Sequence, residues 1–429
     1  MMTVADSLAD LAERVAGQRL PLRVRAWDGS ETGPSGAPVV VLTSPAALRR
    51  LLWAPGELGL VRAYVTGDLD VDGDLGDALR RIWALAGNRA GRRRRLAPGE
   101  LLRAARTMTR LGGIAPPPSR PNSEARPSGR LHSRRRDAQV IAHHYDLSNA
   151  LYALLLDEHM AYSCGYWTDE PEMTVSEAQR SKLDLICRKL DLRPGARLLD
   201  VGCGWGALAV HAAREYGATV TGVTLSAEQL AYGRERVARE GLADLVELRL
   251  QDYRDIPADA QFDAVTAIEM GEHVGKRNYP AFLGQVFRLT TPGGRVLIQQ
   301  MSRGRRHPGG GPFIERYIAP DMHMRPLHET LGLIEHAGFE VRDVHALREH
   351  YARTIAAWLD SFERRFDEVV ALVGPEQARV WRLYLVGSML AFEHNRMGVD
   401  QILAVRTPTS GSSGMPSTRA DWEPAWSRV

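Results

Sequence analysis

A short apolar strand that runs directly into a glycine-rich turn is the feature that most constrains this chain. Residues 198–206 read LLDVGCGWG, and an amphipathic helix with Leu208, Val210 and Ala212 follows. Glycine at such a turn lets a ligand approach the backbone closely, and the N-terminus of the following helix offers free N–H groups. The segment therefore predicts a strand, a ligand-binding turn and a helix in an α/β sheet.

The pattern around this turn predicts the rest of the sheet. Apolar strands alternate with amphipathic helices from Asp137 onward, which is typical of a parallel sheet with crossover helices. A region at 350–398, rich in Trp, Tyr, Phe and Leu, is predicted as a helical insertion before the last strand. The predicted strands are Arg197–Val201, Thr219–Thr224, Val246–Leu250, Phe262–Ile268, Gly294–Gln300, Phe339–Val344 and Gln401–Arg406.

Polar residues at the ends of these strands indicate the ligand. The third glycine of the dinucleotide pattern G-x-G-x-x-G is absent and Asp200 precedes the turn, which favours S-adenosylmethionine over a nicotinamide cofactor. An acid after the third strand can accept from an adenine amine, and an aromatic residue can cover the ring. Any one of these sites could be an ordinary solvated strand end, but three at the correct ends favour a cofactor site. The predicted contacts are Asp200, Gly202, Gly204, Thr224, Leu225, Gln229, Asp252 and Tyr253.

Composition shifts divide the chain into four predicted parts. Residues 1–95 are predicted as a small α+β domain, with a strand at 38–42, a helix after Ser44 and a strand, bend and strand over 63–71. Residues 96–137 are predicted as a basic Pro/Arg-rich helix and linker, mobile over 112–136. Residues 138–406 form the predicted catalytic domain, and residues 407–429 a flexible tail.

Charge is distributed unevenly. The segment 89–136 holds fourteen arginines and two glutamates, although the formal net charge of the whole chain is only +3. Such a run is by default solvated linker charge, and nucleic-acid binding is a further reading, but an anionic membrane surface explains it better. No secretory signal or long apolar segment is visible, and the three cysteines match no disulfide or zinc spacing. We therefore expect a cytoplasmic protein without a metal, peripheral at the inner face of the membrane and without a nucleic-acid partner.

Further motifs, in the order expected, make the chain resemble a known family. The segments HYDLSN at 144–149, MAYSCGYW at 160–167, QDYRD at 251–255, EHVG at 272–275 and HYART at 350–354 are similar to the cyclopropane-fatty-acyl-phospholipid synthases and their mycolic-acid-modifying relatives. The similarity covers about residues 138–406. Residues 1–95 also look like the N-terminal domain of the phospholipid-acting members, which implies that this domain associates with lipid or membrane. The resemblance implies a Rossmann-like methyltransferase sheet of seven strands, the last antiparallel.

The resemblance also implies a reaction. Methyl transfer from S-adenosylmethionine to a cis double bond of an acyl chain leaves a carbocation, which must then lose a proton. Tyr162 and Ser163 would lie over the cofactor, and a bound bicarbonate would take the proton. Its implied ligands are the backbone at Cys164, Glu272 and Tyr351, with Gln299 standing where cyclopropane synthases carry histidine. Glu269 likewise stands where many members have glycine.

These two departures bear on the product. Direct loss of a methyl proton gives a cyclopropane, whereas a hydride shift before proton loss gives a 10-methylene chain that a separate reductase could saturate. The departures favour the 10-methylene product, as in tuberculostearic-type relatives, and cyclopropane synthesis is the alternative. A small soluble substrate and a non-catalytic lipid-binding protein are further alternatives. The resemblance implies a homodimer.

Overall fold

The computed structural model describes residues 2–87, 98–145, 149–304 and 307–419. The helices are α1 (Val4–Ala16), α2 (Ala46–Trp53), α3 (Glu57–Val65), α4 (Leu75–Gly87), α5 (Pro98–Arg110), α6 (Arg134–Tyr145), α7 (Asn149–Leu155), α8 (Val175–Lys189), α9 (Ala207–Tyr216), α10 (Ala227–Arg239), α11 (Gly271–Val274), α12 (Tyr279–Leu289), α13 (Leu327–His336), α14 (Arg348–Arg364) and α15 (Phe366–Glu393). The strands are β1 (Arg23–Arg25), β2 (Glu31–Thr32), β3 (Val39–Leu42), β4 (Leu69–Asp72), β5 (Arg197–Val201), β6 (Thr219–Thr224), β7 (Val246–Leu250), β8 (Phe262–Ile268), β9 (Thr290–Ser302), β10 (Glu340–Ala346) and β11 (Gly398–Val405).

Two compact units make up the chain. The first comprises residues 1–124 and 370–390, and the second comprises residues 125–369 and 391–429. The division differs from the predicted one, because residues 98–124 belong to the first unit together with part of α15. Within that unit Glu124 is buried in an ion pair with Arg62 (2.8 Å), and Arg50 donates to the carbonyl of Ser119 (2.9 Å). The predicted domain organisation stays a prediction.

The first unit is built on a small mixed sheet. Its strand order is β2-β1-β3-β4, with β1 parallel to β3 and the other pairs antiparallel. The predicted strand at 38–42 corresponds to β3. The strand–bend–strand prediction for 63–71 was wrong in its first half, because Ala63–Val65 end helix α3 and only β4 is a strand. Tyr64 and Val65 favour strands, but their burial on a helix face decides the local structure.

The second unit is a seven-stranded sheet of order β10-β11-β9-β8-β5-β6-β7. β5, β6, β7, β8 and β9 pair in parallel, and the last strand, β11, runs antiparallel to both of its neighbours, as predicted. Two apolar layers flank the sheet, one centred on α8 and α9 and the other on α12 and α13. The predicted insertion between the last two strands is helical and consists of α14 and α15, which is kinked at Gly374.

Strand register positions the chemistry. In the parallel pair β8–β9, Ile268 lies beside Gln299, and in the antiparallel pair β9–β11, Gln299 lies beside Gln401. Glu269 follows β8 at once and donates its backbone N–H to the carbonyl of Gln299 (2.7 Å). Three neighbouring strands therefore bring one carboxylate and two amides to the same edge of the sheet.

Residues 407–419 of the predicted C-terminal tail are among the described residues, and several of them make hydrogen bonds or ion pairs. Thr407 donates to Glu340 (2.6 Å), Arg295 donates to the carbonyl of Gly414 (2.8 Å), and Arg419 pairs with the buried Asp343. Residues 407–419 therefore lie against the second unit, and residues 420–429 of the predicted flexible tail lie outside the described residues.

Candidate active site

The glycine turn after β5 has the conformation that its sequence predicts. Gly202, Gly204 and Gly206 have φ of +82°, +55° and +81°, a left-handed region in which other residues are strained. The N–H groups of Gly202 and Cys203 both donate to the carbonyl of Val223, which ties the turn to β6. A Cβ on Gly202 would lie 2.7 Å from Cγ of Met270, so the turn has no room for a side chain there.

A cavity in the second unit opens over this turn. Nine of the ten predicted cofactor contacts line it: Tyr162, Ser163, Asp200, Gly202, Gly204, Thr224, Leu225, Gln229 and Tyr253. Asp252 is absent from the lining, because its carboxylate accepts from the backbone N–H and the guanidinium of Arg254 (2.9 and 2.8 Å). Arg254, which reaches Asp137 as well, lines the cavity.

Side chains at the strand ends fix one another around the cavity. Thr224 donates to the side-chain oxygen of Gln229 (3.1 Å), which leaves the amide nitrogen of Gln229 close to Gly204. Thr266 donates to Asp200 (2.9 Å), and burial raises the pKa of Asp200 to about 6. Exposed turn backbone, a fixed amide, carboxylates and the aromatic ring of Tyr253 fit the nucleoside and the cationic amino-acid part of S-adenosylmethionine.

Beside the cofactor residues lies a cluster centred on Glu269. One carboxylate oxygen accepts from the backbone N–H of Cys164 (2.9 Å) and from the side-chain amide of Gln299 (2.7 Å), and the other accepts from the Tyr351 hydroxyl (2.5 Å). Gln401 donates to the oxygen of Gln299 (3.0 Å), which orients that amide toward Glu269. Burial raises the pKa of Glu269, while these hydrogen bonds favour its ionised form.

The predicted catalytic residues are thus brought together in an unexpected way. Cys164, Gln299 and Tyr351 converge, but they converge on Glu269, which the sequence marked only as a departure from the family pattern that bears on the product. The thiol of Cys164 is directed at the carbonyls of Gly165 and Leu347, so only its backbone faces the cluster. That departure was the sequence signal for Glu269, whereas its φ of +52° cannot be read from the sequence.

Glu272 lies apart from this convergence. Its carboxylate accepts from the backbone N–H of Met301 (2.5 Å), and its second oxygen is buried without a hydrogen-bond partner in the structure. Burial and the neighbouring Glu269 raise the pKa of Glu272 to about 8, so the carboxyl is largely protonated at neutral pH. The guanidinium of Arg325 stacks on Tyr279, 3.8 Å from its ring centre, and favours the ionised form of Glu272 more weakly.

Lys182 is a second cavity residue that the sequence analysis did not single out. The residue is 2% exposed, and its ammonium donates to the hydroxyl of Ser163 (2.8 Å). Desolvation lowers the pKa of Lys182, and the nearby carboxylates of Glu269, Asp157 and Asp200 oppose this. The chain has only three lysines, and two of them lie buried on α8, which is a signal that the sequence did contain.

Two other expectations concern the surroundings of the site. Among the described residues, no group of three or more His, Cys, Asp or Glu side chains could hold a metal ion. Residues 146–148 of the predicted cofactor-covering motif lie outside the described residues, while Asn149 accepts from the Trp205 indole (2.8 Å) at the cavity wall.

Known proteins share this architecture over most of the chain. A family model described as mycolic acid cyclopropane synthetase matches residues 132–402. A probable fatty acid methyltransferase of Pseudomonas putida is 40% identical over 424 residues, which cover 96% of this chain and 99% of that protein. The tuberculostearic acid methyltransferase UfaA1 of Mycobacterium tuberculosis is 34% identical and covers 93% of this chain and 91% of its own length.

A solved structure of the same family also matches this chain. The mycolic acid cyclopropane synthase CmaA1, crystallised with S-adenosylhomocysteine (SAH) and CTAB, is 30% identical and superposes with a TM-score of 0.59. The match covers 62% of this chain and 98% of that structure. With the fold, the cofactor cavity and these relatives in agreement, the chain belongs to the mycolic acid cyclopropane synthetase family of S-adenosylmethionine-dependent lipid acyl methyltransferases.

Proposed function

We propose that this enzyme methylates the cis double bond of an unsaturated phospholipid acyl chain, such as an oleoyl chain, and releases a 10-methylene acyl chain. The observation that carries the proposal is the Glu269 carboxylate, held by Cys164, Gln299 and Tyr351 beside the cofactor cavity. A carboxylate fixed at this place is a base that belongs to the chain itself.

The residues of the cluster are suited to accept the proton that the reaction releases. S-adenosylmethionine, when bound, supplies an electrophilic methyl group, and the alkene supplies the electron pair of the new C–C bond. The carbocation in the acyl chain then undergoes a hydride shift, which moves the positive charge to the methyl-bearing carbon. The new methyl group loses a proton, and the electron pair of that C–H bond becomes the exocyclic double bond. Glu269 takes up that proton. Burial raises the pKa of Glu269 and with it the proton affinity, while three hydrogen bonds favour the ionised form and orient the carboxylate.

Glu269 replaces the bicarbonate that the resemblance implied. The backbone N–H of Cys164 and the hydroxyl of Tyr351, two of the three implied bicarbonate contacts, are both engaged by the Glu269 carboxylate. A separate anion would need the same donors and would be repelled by the fixed negative charge. We therefore assign the general base to Glu269 and no catalytic step to bicarbonate.

Cyclopropane synthesis remains the alternative, since both products arise from the same cation. The test is expression of the chain in a bacterium supplied with oleate, followed by mass spectrometry and NMR of the fatty acids. A gain of one carbon with vinylidene protons is expected. Cyclopropane protons at the same mass would assign the parent activity. A chain that binds the cofactor but does not turn it over would instead be a lipid-binding protein.

The partners of the reaction follow from its chemistry. A 10-methylene product calls for a separate reductase to form the methyl branch. We further propose that segment 89–136 attracts the enzyme to the cytoplasmic face of the membrane, and that the enzyme is a homodimer. None of the helices in the described ranges combines the length and the apolarity that crossing a bilayer requires. Neutralising Arg92–Arg95, which lie outside the described residues, should weaken vesicle binding at low salt, and unchanged binding would refute this.

A further inference from the structure

Helix α5 in the first unit carries three distinct stripes. Its half-buried stripe comprises Ala104, Thr107 and Met108 and continues into the buried Leu111 just after the helix, and Met108 and Leu111 pack in the apolar core of that unit. A second stripe follows Leu101, Leu102 and Ala105, and all three are exposed. The third stripe carries the exposed arginines Arg103, Arg106 and Arg110. Residues spaced by three and four positions share a helix face, so core, apolar surface and basic surface lie side by side.

The apolar stripe is unusual for a surface facing only water. Leu101 and Leu102 are adjacent, and 54% and 53% of their surfaces are exposed. Single exposed leucines need no explanation, but a leucine pair bordered by arginines is the pattern of a helix that lies in a membrane interface. Because the buried stripe holds the helix on the core of its unit and the leucine pair stays exposed, this pair is available to an outside partner.

A second exposed apolar group lies where the segment after α5 contacts the last residue of α2. Trp53 is 58% exposed, and its indole N–H donates to the backbone carbonyl of Ala115 (2.9 Å). Ile114, next to that carbonyl, is 56% exposed. A tryptophan whose indole N–H is hydrogen-bonded and whose ring is exposed to solvent is suited to the boundary between lipid headgroups and acyl chains.

We propose that α5 docks the enzyme on an anionic phospholipid bilayer, with Leu101 and Leu102 inserted among the acyl chains and Arg103 and Arg106 at the phosphate groups. This inference rests on the proposed function, because the substrate is an acyl chain of such lipids. Charge selects this partner over a second copy of the chain. Three exposed arginines, Arg103, Arg106 and Arg110, lie on α5, so two copies meeting on this helix would repel each other, whereas anionic headgroups attract it.

The test measures partition of the full-length protein onto vesicles with and without phosphatidylglycerol, in the absence of S-adenosylmethionine. Leu101→Ser with Leu102→Ser should weaken partition about tenfold or more, since two apolar side chains no longer insert. Arg103→Gln with Arg106→Gln should weaken it roughly tenfold at low salt, with the difference vanishing at high salt. Leu372→Ser, an equivalent change at a 43% exposed leucine of the same unit, should leave partition unchanged.

Two results would overturn the inference. One is unchanged partition of the leucine variant with an unchanged unfolding temperature. The other is a leucine variant that is monomeric where the wild-type chain is a dimer, which would assign α5 to contact between copies. Methylation of an oleoyl lipid in detergent micelles separates this inference from the proposed function. A wild-type protein that binds vesicles through α5 but methylates nothing would refute the function alone.

Discussion

The cofactor edge of the sheet consists mainly of backbone groups, whereas the Glu269 cluster beside it consists mainly of side chains. At the cofactor edge the backbone is the main component: Gly202, Gly204 and Gly206 take left-handed conformations in which other residues are strained, and Gly202 also has no room for a side chain. The base cluster is made of side chains from separate parts of the chain, each oriented by a hydrogen bond to another. The first region can therefore bind one cofactor in many relatives, whereas the second can change its chemistry through single residues.

The largest effect should follow from Glu269. Glu269→Gln keeps the size of the side chain but removes the base, and turnover should fall by roughly 10²- to 10⁴-fold. The measurement is the rate of methyl transfer to an oleoyl phospholipid, together with cofactor affinity, which should change little. Full activity of this variant would remove Glu269 from the mechanism.

Glu269→Gly sharpens the same test. Glycine relieves the strain of a φ of +52° and leaves the donors of Cys164, Gln299 and Tyr351 without their acceptor. Added bicarbonate should then restore part of the activity of Glu269→Gly, whereas Glu269→Gln, whose side chain still fills the site, should not respond. Equal responses of the two variants would show that the anion acts elsewhere.

The next largest effect is expected at Lys182, which links the two regions. Lys182→Met removes the cation that favours ionised Glu269 and the donor to Ser163, so turnover should fall roughly tenfold to hundredfold. Loss of that cation raises the pKa of Glu269 further, and the acidic limb of the pH–rate profile should move to higher pH.

Lys189→Met is the matched control for this prediction. Lys189 lies on the same helix with 1% exposure, but its ion pair is with Asp343 (3.0 Å) and it does not line the cavity. This variant should lose stability and keep the pH profile of the wild type. If both lysine variants shift the profile alike, the effect comes from the helix and not from Lys182.

A smaller effect tests the cofactor edge. Gly202→Ala would place Cβ 2.7 Å from Met270 and in the space where the cofactor approaches, so affinity for S-adenosylmethionine should fall about tenfold. Gly195→Ala is the control, because Gly195 has nearly the same φ of +81° but nothing within 4 Å of an added Cβ. Calorimetric titration should show an affinity loss for Gly202→Ala alone, while both variants lose some stability.

How far the sequence predicts the structure depends on the same division. The strands β5, β6, β7 and β8 have the predicted bounds, because apolar periodicity and a glycine turn are local signals. Glu269 could be read as a departure from the family pattern, but its partners depend on the register of three strands and on a left-handed backbone. Asp252 fits the local pattern, yet its carboxylate binds Arg254, which no local signal indicates.

The last prediction concerns Glu272 and tests stability, not turnover or cofactor affinity. Its pKa is raised from 4.5 to about 8 by burial and by Glu269, so the folded protein binds this proton more tightly than the unfolded chain. The resulting stability is fully present below pH 4.5, and it is lost as the pH rises through about 8. Glu272→Gln imitates the protonated carboxyl and should flatten the decline in the free energy of unfolding between these pH values, measured by urea denaturation. Each unit of pKa shift corresponds to about 1.4 kcal/mol of unfolding free energy. If the unfolding free energy of the variant depends on pH as steeply as that of the wild type, Glu272 is ionised at neutral pH and is available as a second carboxylate beside Glu269.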